Sequence, residues 1–78
     1  MDSRFITILK KIGELADDFS IAPEHLLVED LGVDSLKLID TVLLLESQFS
    51  MELSEDKLVS TRTVGELWDA VLAATASS

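Results

Sequence analysis

Seventy-eight residues, 47% of them hydrophobic and none of them cysteine, describe a single domain near the lower size limit for an unaided core. The lack of cysteine excludes a disulfide framework and a thiolate metal site. A formal net charge of −9 repels nucleic-acid phosphate and anionic lipid and draws in basic protein surfaces. No apolar run approaches the length of a bilayer span. The start shows no basic segment followed by an apolar run and a cleavage site, so the expectation is a cytoplasmic monomer with no signal peptide, no nucleic-acid partner and no membrane insertion.

Residues 4–19 place Phe5, Ile8, Leu9, Ile12, Leu15, Ala16 and Phe19 at helical spacing, with Lys10, Lys11, Glu14 and Asp17 on the opposite side. This predicts an amphipathic first helix, which Gly13 weakens by up to about 1 kcal/mol relative to Ala. Residues 20–34 read as a long connection containing one short turn, "PEHLL", opened by Pro23. Leu26, Leu27 and Leu31 are apolar enough to pin it to the core. Gly32 marks a backbone angle or a close approach. A connection this long in so small a domain points to function.

Residues 35–49 predict the second helix, with Leu38, Ile39, Val42, Leu45 and Phe49 as its core stripe. Leu36, Asp40, Leu43 and Ser47, at spacings of four, three and four, form a separate stripe. It leaves two leucines beside an acid, which suggests a partner-binding strip. Ser54 is placed to cap a short third element, "EDKLVS", with Glu55 and Asp56 in its first turn. Thr63 and Glu66 match a capping box, opening a last helix with Val64, Leu67, Trp68, Val71 and Leu72 inward. Residues 73–78, ending "ATASS", read as a frayed tail. No segment alternates with period two, so the chain reads as all-α, a small four-helix bundle with a long first loop and a short third helix.

The junction before the second helix carries the chemistry. Asp34 is a good N-cap, which puts Ser35 on the first helical turn. The stretch "EDLGVDSLKLID…LLESQF" resembles the acyl carrier proteins, whose signature is Leu-Gly-x-Asp-Ser-Leu at the start of the second helix. The likeness extends to length, acidity, the long first loop, Phe49 at the close of the second helix and "TVGELWDAV" in the last. The resemblance implies a right-handed four-helix bundle. It also implies that Ser35 carries a 4′-phosphopantetheine, delivered from coenzyme A by a phosphopantetheinyl transferase, with an acyl group riding on its thiol. The chain would then be a substrate of other enzymes and not a catalyst. Its partners would be that transferase and acyl-loading and acyl-processing enzymes with basic docking surfaces.

The residues agree with that role. The only histidine, His25, lies ten positions upstream of Ser35, so the serine has no evident base of its own. Modification by another enzyme needs only exposure, and a phosphodiester at a helix N-terminus meets free N–H groups and a favourable dipole. The docking face implied is Asp34, Leu36, Lys37, Asp40, Leu43 and Ser47. Lys37, Ser47 and Gln48 stand where fatty-acid carriers often have acids. That departure favours a specialised fatty-acid or polyketide-type pathway, and "GVDSL" leans away from aminoacyl cargo. The alternatives are an aminoacyl or peptidyl carrier, or a helical adaptor docking through Leu36 and Leu43. A groove between the second and third helices, lined by Val42, Leu45, Leu58, Val59 and Trp68, is expected to receive the acyl chain. Met51 and Trp68 otherwise read as core filler and His25 as an ordinary loop residue. No metal site is expected beyond loose cation binding at "VED" with Asp34 and at "ESQFSME".

Overall fold

The computed structural model describes residues 1–76, apart from the side chain of Glu55. Four helices follow one another: α1 (Ser3–Gly13), α2 (Ser35–Phe49), α3 (Glu55–Ser60) and α4 (Val64–Ala76). Among the described residues there is no strand, only an isolated antiparallel bridge between Leu26 and Thr63, and no helix is long and apolar enough to cross a membrane.

Asp2 starts α1 by accepting the Arg4 N–H at 2.8 Å. Phe5, Ile8 and Leu9 point into the core. The helix ends at Gly13, six residues before the predicted boundary, and its C-cap Glu14 adopts a left-handed φ of 53°. Gly13, the last helical residue, lies against the loop. A Cβ there would sit 2.8 Å from the Leu31 carbonyl oxygen, because the connecting loop crosses the helix at this point. The glycine is therefore a close approach and not merely a weak helix former. Leu15 and Phe19 still pack against the core, from the loop, whereas Ala16 is exposed. Apolar spacing thus continues past the end of the helix.

The loop keeps its place through backbone hydrogen bonds. Leu27 N–H donates to the Arg62 carbonyl (2.9 Å), Val64 N–H to that of His25 (3.0 Å), and Gly65 N–H to that of Pro23 (2.9 Å). Leu27, Leu31 and Val33 are buried. Leu26, expected to pin the loop with its side chain, is exposed and contributes only backbone. Gly32 has φ +69° with nothing within 4 Å of a hypothetical Cβ, so it is the backbone angle that calls for glycine.

In α2 the buried residues are Thr41, Val42 and Leu45, with Leu38 and Phe49 packed against the core. Thr41 enters because its Oγ1 donates to the Lys37 carbonyl at 2.8 Å. Ile39 departs from the expected core stripe and is 59% exposed. It lies about 120° around the helix from Leu45, outside the arc that meets α1. Arg4 ties the two helices together at one end: its guanidinium lies 4.4 Å from the Phe49 ring centroid and donates to the Gln48 carbonyl.

Ser54 caps α3 through the Lys57 N–H. The capping box of α4 is formed as expected: Glu66 N–H donates to Thr63 Oγ1 (3.1 Å), and Thr63 N–H to Glu66 Oε1 (3.0 Å). Val64, Leu67, Ala70 and Val71 are buried, but Leu72, expected inward, is 47% exposed, one step beyond the inward arc at Val71. Met51 is buried. Residues 73–76, expected to fray, continue α4; the rest of that expected tail, Ser77 and Ser78, lies outside the described residues.

Backbone N–H donation from Thr63 and Arg62 holds the Glu66 carboxyl below the usual glutamate value. A lowered folded pKa gives stability that is present above the ordinary value and lost as pH falls through the lower folded one. Glu66→Gln should therefore flatten that part of the acid limb in thermal melts followed across pH. An acid limb identical to the parent's would contradict this role for the carboxylate.

Candidate functional site

Asp34 is extended (φ −77°, ψ −174°) and caps α2 twice. Its Oδ1 accepts the Lys37 N–H at 2.9 Å and its carbonyl the Leu38 N–H at 2.8 Å. The N–H groups of Ser35 and Leu36 are left as the open donors of the first turn. Ser35 itself is exposed. Lys37 turns its ammonium toward Glu14, 3.8 Å away. His25 is occupied elsewhere, its Nδ1 accepting the Ala22 N–H at 2.9 Å and its ring 5.5 Å from that of Phe19. The serine is accessible and unactivated, which suits a hydroxyl modified by another protein and not a nucleophile serving its own catalysis.

Beside Ser35 opens a cleft of about 790 Å³. Leu27, Val33 and Leu38 wall it on the loop and α2 side, and Leu58 and Val59 on the α3 side. Val59 is 82% exposed, a large apolar side chain at a rim with nothing covering it. Three of the five residues expected in the groove from sequence do not line this cleft. Val42 and Leu45 are buried. Trp68 is held between Phe5 and Phe49, at ring-centroid distances of 4.9 and 6.2 Å. Val33 and Ile39 are walls that sequence reasoning misses. The signal for Ile39 is its apolar character combined with a position off the core arc.

The second stripe of α2 faces solvent. Leu36 is 76% and Leu43 61% exposed, with Asp40 and Ser47 exposed on the same side. The expected loose cation sites do not assemble. Asp30 accepts the Leu26 N–H at 2.7 Å and Glu46 the Leu53 N–H at 3.0 Å. Among the described residues no three His, Asp or Glu side chains are grouped to hold a metal ion.

Comparison with known proteins agrees with this geometry. A family model described as the phosphopantetheine attachment site matches residues 3–71. The acyl carrier protein of Thermotoga maritima is 37% identical over 60 residues, covering 77% of this chain and 72% of that protein. The acyl carrier protein of Chlamydia trachomatis serovar L2 is 36% identical over 58 residues, covering 68% and 75%. A solved structure from Mycobacterium tuberculosis described as an acyl carrier protein superimposes with a TM-score of 0.80 at 30% identity, covering 88% of this chain and 90% of that one. The fold and site define a phosphopantetheine-dependent carrier, and the chain belongs to the acyl carrier protein family. It is a carrier and not a catalyst, and its cofactor is a covalent 4′-phosphopantetheine. The residues present fit that group: an exposed hydroxyl at an open helix N-terminus can take an anionic phosphodiester, and the adjoining apolar cleft can take the arm beyond the phosphate.

Two leucines on opposite faces of α2, Leu45 buried and Leu43 exposed, test the assignment of faces. Leu45→Ala should cost about 2–5 kcal/mol of stability, the usual range for a buried leucine, whereas Leu43→Ala should stay within about 0.5 kcal/mol of the parent. Denaturant unfolding of both variants checks this, and comparable losses would place Leu43 in the core.

Proposed function

We propose that Ser35 is the attachment residue and that the cargo is an acyl intermediate of a specialised fatty-acid or polyketide-type pathway. The observation that carries the reading is an exposed, unactivated serine at the open N-terminus of α2, beside an apolar cleft. In the transferase reaction Ser35 Oγ forms a bond to the pantetheine-side phosphorus of coenzyme A. The pyrophosphate bond breaks, the adenine-nucleotide half leaves, and the hydroxyl proton passes to the transferase. Once attached, the group supplies a thiol that holds acyl chains as thioesters.

The chain's own residues orient and present. Asp34 fixes the first turn of α2, so Ser35 stands at a rigid corner, although its charge opposes a second anion there. Leu36, Lys37, Asp40, Leu43 and Ser47 form the face offered to the transferase and to acyl-loading and acyl-processing enzymes. α2 contains two acids, Asp40 and Glu46, against Lys37. It is therefore less acidic than the whole chain, which supports enzymes of a specialised pathway as partners. Leu58 and Val59, on the six-residue α3, form a wall that a short, weakly propagated helix can move. Each acyl methylene that enters the cleft removes about 0.8 kcal/mol of unfavourable hydration. The proposed setting is a cytoplasmic monomer, in keeping with the family.

Incubation with coenzyme A and a broad-specificity phosphopantetheinyl transferase tests the assignment by intact mass. The parent should gain one phosphopantetheine. Ser35→Ala should gain none while keeping its helical circular dichroism and melting transition. Modification of the Ala variant would refute the site.

A further inference from the structure

A phosphodiester at Ser35 creates a charge problem. It adds an anion beside Asp34, on a cleft that Glu29 also lines, in a chain already at −9. Of the five bases other than Arg62, three are engaged, and Lys11 and Lys57 do not line the cleft. Lys37 turns to Glu14, Arg4 is tied to Asp2 at the far end of α2, and Lys10 donates to the Asp17 carbonyl. Arg62 is different. It is the one base among the described residues that line the cleft, and Ser35 lines the same cleft. Its guanidinium is in no close ion pair among the described residues, though its charge acts on the Glu66 carboxylate.

The backbone fixes how far apart the two residues can be. The Arg62 carbonyl accepts the Leu27 N–H at 2.9 Å, and the Leu27 carbonyl accepts the Val33 N–H at 2.8 Å. Hydrogen-bonded chain segments lie about 5 Å apart, so the backbones at Arg62 and Val33 are separated by at most roughly 10 Å. Val33 precedes Ser35 by two residues. Ser35 lies at most about 7 Å further along the chain than Val33, and an extended arginine side chain together with a phosphate on Ser35 Oγ spans most of the sum across the cleft that both residues line. A guanidinium matches phosphate oxygens with paired N–H donors and keeps its charge throughout the neutral range.

Resting on the Ser35 assignment, we infer that Arg62 is the counter-charge of the phosphodiester at Ser35 and holds the root of the prosthetic arm along the cleft. Arg62 is thus a positioning residue. It offsets the repulsion from Asp34 and biases the arm toward Leu58 and Val59 instead of open solvent. Its backbone anchors the α3–α4 connection to the loop, so the charge is delivered from a fixed point.

Phosphorus-31 and arginine side-chain NMR on the phosphopantetheinylated protein, with its mass checked first, test this. Conversion from apo to holo should shift the Arg62 Nε–H resonance and leave that of Arg4 in place. Arg62→Gln should narrow the phosphorus line by roughly a factor of two as the group gains local motion, and Arg62→Lys should fall between. Lys37→Gln should change it little. Molar sodium chloride should move the parent toward the Gln variant, since screening acts on an exposed pair. An unmoved Arg62 resonance, with a phosphorus line unchanged in Arg62→Gln on a holo protein of correct mass, overturns the inference and leaves the Ser35 assignment intact. A phosphorus line that responds to Lys37→Gln and not to Arg62→Gln overturns it as well. A mass gain that persists in Ser35→Ala removes the Ser35 assignment, and this inference with it.

Discussion

A connection of some twenty residues between α1 and α2 carries backbone donors and acceptors that no helix satisfies, and it must nevertheless cross the core. Pairing it with Arg62 and the first turn of α4 meets part of that constraint. The N–H groups of Leu27, Val64 and Gly65 bond to the carbonyls of Arg62, His25 and Pro23. Gly65 permits the contact at its tightest point, since a Cβ there would lie 3.2 Å from both the Pro23 carbonyl oxygen and its Cβ. With the segments joined, Leu27, Leu31 and Val33 are carried beneath α2 and close the core against Phe5, Leu9 and Leu45.

The functional end of the molecule depends on this seam. The loop finishes in Asp34, whose cap sets the first turn of α2 and turns Ser35 outward. The same pairing brings Arg62 and the end of α3 opposite that turn, and the space between them is the cleft. Rigid and movable parts are thereby separated. The seam is held by backbone hydrogen bonds and the α1–α2 contact by buried apolar side chains, whereas α3 is a single short helix with Val59 in solvent. The proposed carrier role uses both, a fixed corner at Ser35 and a cleft wall formed by a short helix.

Local chemistry is legible where it depends on neighbours in sequence. The Asp34 and Ser54 caps, the Thr63–Glu66 box, the exposed Leu36 and Leu43 and the "LGVDSL" likeness all rest on residues a few positions apart. The features that escape a reading of the sequence depend on contacts between distant segments. Apolar spacing runs on to Phe19, so nothing in the periodicity reveals that α1 ends at Gly13, where Leu31 crosses it. Ile39 and Leu72 are apolar and lie near core stripes. Their exposure reflects which arc of each helix meets a neighbour, and that is set by the seam. Thr41 reads as polar but is buried, because its hydroxyl bonds back to its own helix. Trp68 has a position in α4 compatible with the groove, yet Phe5 and Phe49 draw it to the other end of the bundle.

If backbone pairing of the loop with Arg62 and the first turn of α4 holds the molecule together, native-state hydrogen exchange of the apo protein should show it directly. The amides of Leu27, Val33 and Val64 should be protected to the same degree as those of Leu45 and Leu67 in the helical core, exchanging only through global opening. Exchange at those three amides at the rate of unstructured loop residues, with the helices still protected, would contradict the account.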